Sequence, residues 1–143
     1  HKGVAAVFCD ELTREGIFDA IRDRRTYGTT GERVLIDFTV NAASMGSVIQ
    51  ADPGTTLALN LTVHGTATLL RVEILRFQFG VDLDFQPLFS VFPSPETLDH
   101  VVTLETSFAD DAVYYARVTQ EPLAWPDMAW TSPVWVKKRE LTK

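Results

Sequence analysis

The chain has 143 residues and a single cysteine, Cys9. One thiol excludes a disulfide framework and is too few for a cysteine-based metal cluster. Histidine is almost as scarce, with only His1, His64 and His100. None stands at i, i+3 or i+4 from another ligand type in a helix, so metal-site spacing is absent. Lysine and arginine number 13 against 19 aspartates and glutamates, for a net charge of −6 and an isoelectric point near 4.9. The one basic cluster, Lys137-Lys138-Arg139, reads as solvated. An acidic chain without a basic patch argues against nucleic acid as a partner. No apolar run approaches the roughly 18 residues of a membrane span, so no membrane partner is expected. A basic-then-apolar leader, an internal repeat and a low-complexity tract are all missing from the sequence.

What is there is strongly apolar: 45% of the residues are hydrophobic, enough for a real core. The first 31 residues stand out. Val4 to Phe8 reads as a short apolar strand. Thr13 to Arg25 reads as a helix, with Thr13 as N-cap and Glu15 in the positive first turn. Its apolar stripe is Ile17, Phe18, Ala20 and Ile21, and Arg22, Arg24 and Arg25 complement its negative end. Gly16 weakens this helix. Thr26 to Gly31 reads as a turn in which Gly28 and Gly31 end the unit.

Everything after residue 31 reads as strands. Val34–Val40, Thr56–Val63, Leu69–Phe77, His100–Thr106, Val113–Thr119 and Trp130–Val136 carry the period-two or β-rich signal. Asp52-Pro53-Gly54 and Asp110-Asp111 are turns. Phe79–Pro95 holds Pro87, Pro93 and Pro95 and is expected to be a long connection or edge strands. The expected fold is therefore mostly β: a two-sheet, immunoglobulin-like sandwich over residues 32–143, preceded by one βα unit over residues 1–31. A lone parallel-type strand needs cover on both faces. The βα unit is accordingly expected to be the closing piece of a truncated α/β barrel, and the chain a fragment of a larger protein.

Candidate chemistry is thin. Cys9 has no base paired with it and reads as a structural thiol. Asp10-Glu11 favours a helix start, Asp110-Asp111 is turn chemistry, and Asp82 with Asp84 is a weak hard-cation pair. Gly28-Thr29-Thr30-Gly31 follows a helix, whereas anion cradles precede one, and it lacks a P-loop lysine. Asn60-Leu61-Thr62 is a formal glycosylation sequon in mid-strand. Trp125, Trp130 and Trp135, with Tyr114 and Tyr115, could line a sugar-binding face or fill a core. Trp130 and Trp135 are five apart, so a regular strand would turn them to opposite sides. No catalytic, cofactor-binding or metal-binding residue is assigned.

Two ordered blocks carry a family likeness. The first is Lys2–Phe8 with Glu11–Arg22 and Arg24–Gly31. The second is Tyr114–Gln120 with Met128–Val136. Asp37–Asn41 and Met45–Ser47 also fit, while Phe77–Glu96 matches poorly. Together they resemble the C-terminal end of a bacterial family related to the PHP (polymerase and histidinol phosphatase) superfamily. The resemblance implies a distorted β/α barrel acting as a metal-dependent phosphoesterase. Zinc, manganese or iron would be held in that missing barrel, whose ligand motifs this chain does not contain. It also implies a non-catalytic, structural or substrate-access role for the sandwich, with the protein's own catalytic domain as partner. The alternative is an independent carbohydrate- or protein-binding module. An unpartnered helix stripe would favour self-association through residues 1–31.

Overall fold

The computed structural model describes residues 2–94 and 96–140. It is mostly β. The elements are β1 (Val4–Val7), α1 (Arg14–Arg22), β2 (Thr26–Thr29), β3 (Leu35–Val40), β4 (Ala43–Ser44), β5 (Val48–Ala51), β6 (Thr56–His64), β7 (Leu69–Gln78), β8 (Gln86–Val91), β9 (Asp99–Ser107), β10 (Ala112–Gln120), β11 (Asp127–Thr131) and β12 (Val134–Lys138). They form two sheets and no barrel. The smaller sheet runs β4-β3-β6-β9; the larger has eight strands.

The period-two pattern explains why the two sheets meet. Leu57, Leu59, Leu61 and Val63 all point inward from β6, as do Ile36, Phe38 and Val40 from β3. From the larger sheet come Val72 and Ile74 of β7, Tyr114, Ala116 and Val118 of β10, and Val134 and Val136 of β12. These side chains form one continuous core. Burying a Leu or Phe side chain contributes roughly 1.5–3 kcal/mol, so the facing rows supply the main force holding the sheets together. Tyr114 lies in that core, and burial raises its phenol above the ordinary value.

Strand β10 organises the larger sheet. Along one side it pairs with β7, which in turn pairs with β8, both antiparallel. Along the other side it meets two strands in succession. Arg117 to Gln120 pair with β11, and Ala112 to Tyr114 pair with β12. The register changes by one residue between these stretches, since Arg117 faces Trp130 while Tyr114 faces Val134. One extra residue is therefore accommodated at Ser132-Pro133, a bulge in what is otherwise a single line. Pro133 suits that break because it cannot donate to a ladder. Beyond β11 lie β2 and β1, antiparallel, and beyond β12 lies β5, parallel.

Residues 26–31 differ from the expected turn. Thr26–Thr29 is a strand, hydrogen-bonded to β1 on one side and β11 on the other. Its alternation is short and glycine-bearing, which hid it. The sheet thus runs across the division expected at residues 31 and 32, and β1 has an antiparallel neighbour rather than a parallel one. Tyr27 enters the core and donates its hydroxyl to the Val34 carbonyl at 2.8 Å. The irregular Phe79–Pro95 stretch contains β8 at the sheet edge, with Pro87 in it.

The helix is N-capped by Thr13, whose hydroxyl accepts the Gly16 N–H at 3.0 Å. A Cβ at Gly16 would collide with the Glu11 carbonyl, which is why glycine is kept inside this helix. The helix stops at Arg22, short of the expected Arg25. Arg24 takes the left-handed conformation, φ 58°, and the Arg25 N–H returns to the Ala20 carbonyl at 2.9 Å. The Arg24 side chain fixes this non-glycine cap, donating from Nε to the Gly46 carbonyl at 3.0 Å. Of the apolar stripe only Ala20 is fully buried; Phe18 and Ile21 are 58% and 53% exposed.

Candidate functional site

The most distinctive surface is the outer face of the larger sheet. Even-numbered residues of β10 point into the core, so Val113, Tyr115 and Arg117 point outward. Residues directly opposite in an antiparallel pair share a face. Trp130 faces Arg117 and Trp135 faces Val113, so both tryptophans lie on this outer side. This corrects the expectation that a separation of five sends them apart: the bulge at Ser132-Pro133 adds a residue and restores the phase. Tyr114, by contrast, is core, and Tyr115 is on the outer face.

An aromatic chain extends from Tyr115. Its ring lies 5.0 Å from Phe85, Phe85 lies 5.5 Å from Phe77, and Phe77 lies 5.2 Å from Phe79. These are edge-on or tilted contacts, the favourable geometry for rings. The Arg24 guanidinium stands 5.3 Å from the Trp135 ring, and the Lys137 ammonium 5.4 Å from Phe79. Gly28 faces Trp130 across β2, and a Cβ there would meet nothing within 4 Å. The surface beside Trp130 is thus left open.

Glu73 sits in this face and its side chain is only 3% exposed. Its two oxygens are taken by different cations, Arg117 Nε at 2.8 Å and Arg71 Nη2 at 2.9 Å. The Glu73 hydrogen bond is the main reason the Arg117 guanidinium holds its proton more tightly than usual. Arg71 also reaches Ser90 and lies 5.5 Å from the Phe92 ring. Sequence reading missed this triad. The signal was the alternation Arg71-Val72-Glu73 and Ala116-Arg117-Val118, but only the register of β7 against β10 sets Arg117 opposite Glu73.

The other candidates disperse. His64 and Asp99 are cross-strand partners, Nδ1 to Oδ1 at 3.0 Å, both exposed on the smaller sheet. His100 is the next residue of β9, and His1 lies outside the described residues. Asp82 is engaged in its own loop, accepting the Gln78 N–H at 2.7 Å and facing Arg76 Nε at 3.4 Å. Asp84 accepts the Phe85 N–H. Asp111 accepts the Lys138 N–H at 2.6 Å and the Lys137 ammonium at 3.0 Å; these bonds, the backbone one foremost, hold its carboxyl below the usual range. Asp10 pairs with Arg25 at 3.6 Å.

The Gly28–Gly31 segment is no anion cradle. Thr29 Oγ1 accepts the Gly31 N–H, and Thr30 Oγ1 donates to Asp127. Asn60 of the sequon accepts from Thr103 across β6 and β9. Cys9 is partly buried beside Phe8, Arg25, Asp37 and Met45 around a hollow of about 240 Å³. Trp125 is 75% exposed in the loop before β11. Among the described residues no group of three or more His, Cys, Asp or Glu could hold a metal ion. The described residues thus offer no site for the divalent ions that the PHP resemblance places in the missing barrel.

Residues 1–64 match the family described as "Protein of unknown function (DUF3604)". The chain is 34% identical over 149 residues to an uncharacterized protein of Chlamydia pneumoniae, covering 94% of the chain and 22% of that relative. It is 31% identical, with the same shares covered, to uncharacterized proteins of Chlamydia muridarum and Chlamydia trachomatis. The chain therefore spans about a fifth of the length of the curated relatives it matches. No solved structure matches. Neither the family description nor these names mention a PHP-like superfamily. The chain is similar to DUF3604 proteins over its first 64 residues and to longer chlamydial proteins over 94% of its length.

Proposed function

We propose that this chain is a non-catalytic β-domain of a larger PHP-like metal-dependent phosphoesterase, and that the outer face of its larger sheet seats that domain against the rest of the protein. The observation that carries the reading is the shared outer face of Trp130 and Trp135, continuous in the sheet with β1 and β2. An extended apolar and aromatic sheet face is the kind of surface that a neighbouring domain covers. The Glu73 triad, one carboxylate between two guanidiniums, gives that surface an ion-paired centre with one net positive charge. The role is structural, covering a barrel or shaping its entrance.

The strand order supports an immunoglobulin-like sandwich. β3, β6 and β9 follow the A-B-E order of that fold, and β8, β7, β10 and β11/β12 follow C′-C-F-G. β5 plays the strand that leaves the first sheet to pair with the last strand of the second. On this reading β1, α1 and β2 are the βα unit that links the sandwich to the preceding barrel.

The test is limited proteolysis of the full-length protein carrying Trp130→Glu and Trp135→Glu. The expected result is faster release of the β-domain than from wild type, while the isolated chain keeps its denaturant midpoint. Unchanged release would refute the docking role. Carbohydrate binding by the isolated chain, lost in the same variants, would establish the independent module instead.

A further inference from the structure

The smaller sheet ends in β9, and among the described residues β9 pairs only with β6. The other terminal strands of the two sheets are each short or irregular. β8 carries Pro87 and a register shift in its pairing with β7, β1 and β5 are four residues long, and β4 is two. β9 is nine residues long, without proline, lysine or irregularity in its pairing with β6. It also exposes an apolar side chain in mid-strand, Val101 at 68%. Natural sheets protect such an edge unless something pairs with it.

We propose that the β9 edge is a self-association surface, on which a second copy of this chain adds its own β9 antiparallel about a two-fold axis at Thr103. The charge pattern selects this partner and this register. Inward- and outward-pointing residues alternate along β9, so a continuous sheet requires outward residues to oppose outward residues. Pairing about Thr103 uses all nine residues. It sets Val101 against Glu105, Val102 against Leu104, His100 against Thr106 and Asp99 against Ser107. No like charges face each other. Moving the axis by one residue, to Val102, sets Asp99 against Glu105 in both halves of the interface. Moving it to Leu104 leaves only seven paired residues. The symmetric register thus buries Val101 beside the aliphatic stem of Glu105, and the two smaller sheets become one of eight strands.

The register gives a charge-swap test in the 143-residue chain. Val101→Glu places a carboxylate opposite the partner's Glu105, and Val101→Lys places an ammonium there. Sedimentation equilibrium should show a dimer whose dissociation constant rises at least tenfold in Val101→Glu and stays the same or falls in Val101→Lys. In a Cys9→Ser background, Thr103→Cys should cross-link to itself on mild oxidation. Opposed Cα atoms at 4.5–5.5 Å lie within disulfide reach. Circular dichroism checks that each variant is folded; position 101 is exposed, so both should be. A monomer at millimolar concentration would overturn the proposal. So would a dimer that both substitutions weaken alike, or one that persists unchanged in both.

Discussion

Removing Arg117 from the Glu73 triad is the most direct probe of the larger sheet. Arg117→Met keeps the length and apolar stem of the side chain but leaves Glu73 Oε2 without its partner at 2.8 Å. A carboxylate that is 3% exposed cannot recover that bond from bulk water. Stripping one partner from a fully buried ion pair costs roughly 3–5 kcal/mol. Here Arg71 still holds Oε1 at 2.9 Å, and Arg117 itself is 30% exposed, so the cost is smaller. We expect about 1–3 kcal/mol, read from the urea midpoint at pH 7. Adding Glu73→Leu to Arg117→Met should return most of the loss, to within about 1 kcal/mol of wild type, because the buried charge is gone. The double-mutant cycle isolates the coupling. A shift of less than about 0.5 kcal/mol for Arg117→Met, in the range of ordinary surface substitutions, would refute the claim that this triad is an energetic unit.

Val118 is 1% exposed in the facing rows, and Val118→Ala should destabilise by roughly 1–3 kcal/mol in a denaturant titration; an unchanged midpoint would misplace β10. Gly46→Ala should cost about 2–4 kcal/mol, because φ is +90° and a Cβ would strike the Arg24 and Asp23 carbonyls; a wild-type melting temperature would contradict that close approach. The folded-state pKa of Asp111 is depressed, so its contribution is complete above the unfolded value near 4 and is lost as pH falls through the folded value. The stability gap between wild type and Asp111→Asn should therefore be present at pH 7 and close in strong acid, and a gap independent of pH would refute the assignment. The isolated chain should not hydrolyse an aryl phosphate with manganese or zinc, and chelator-sensitive turnover that survives purification would overturn the non-catalytic reading.

The strands were legible where one face is buried. Leu57 to Val63 alternate without a fault, and every inward residue of that run is at 0% exposure. Thr13 and the helix it caps were legible because capping is local chemistry. What escaped the sequence was set by pairing. β2 is four residues with a glycine, and it is a strand because β1 and β11 flank it. The Arg24 cap depends on a carbonyl 22 residues away. The two tryptophans share a face only because of a bulge that period-two counting does not anticipate. Glu73 and Arg117 are 44 residues apart and meet through register alone.

The divided neighbour line of β10 also sets an order of assembly. β2 and β5 lie early in the sequence, yet each rests beside a strand near the end, β2 on β11 and β5 on β12. The Thr26–Ser132 contact closes 106 residues and the Thr30–Asp127 contact closes 97. A ribosome adding 5–20 residues per second needs about 5–20 s to cover such a gap. β3, β6 and β9 can meet before that interval ends, whereas β5 has no other strand partner among the described residues and must wait. The nascent chain therefore holds β5 unpaired until β12 emerges, long after β5 itself has been made.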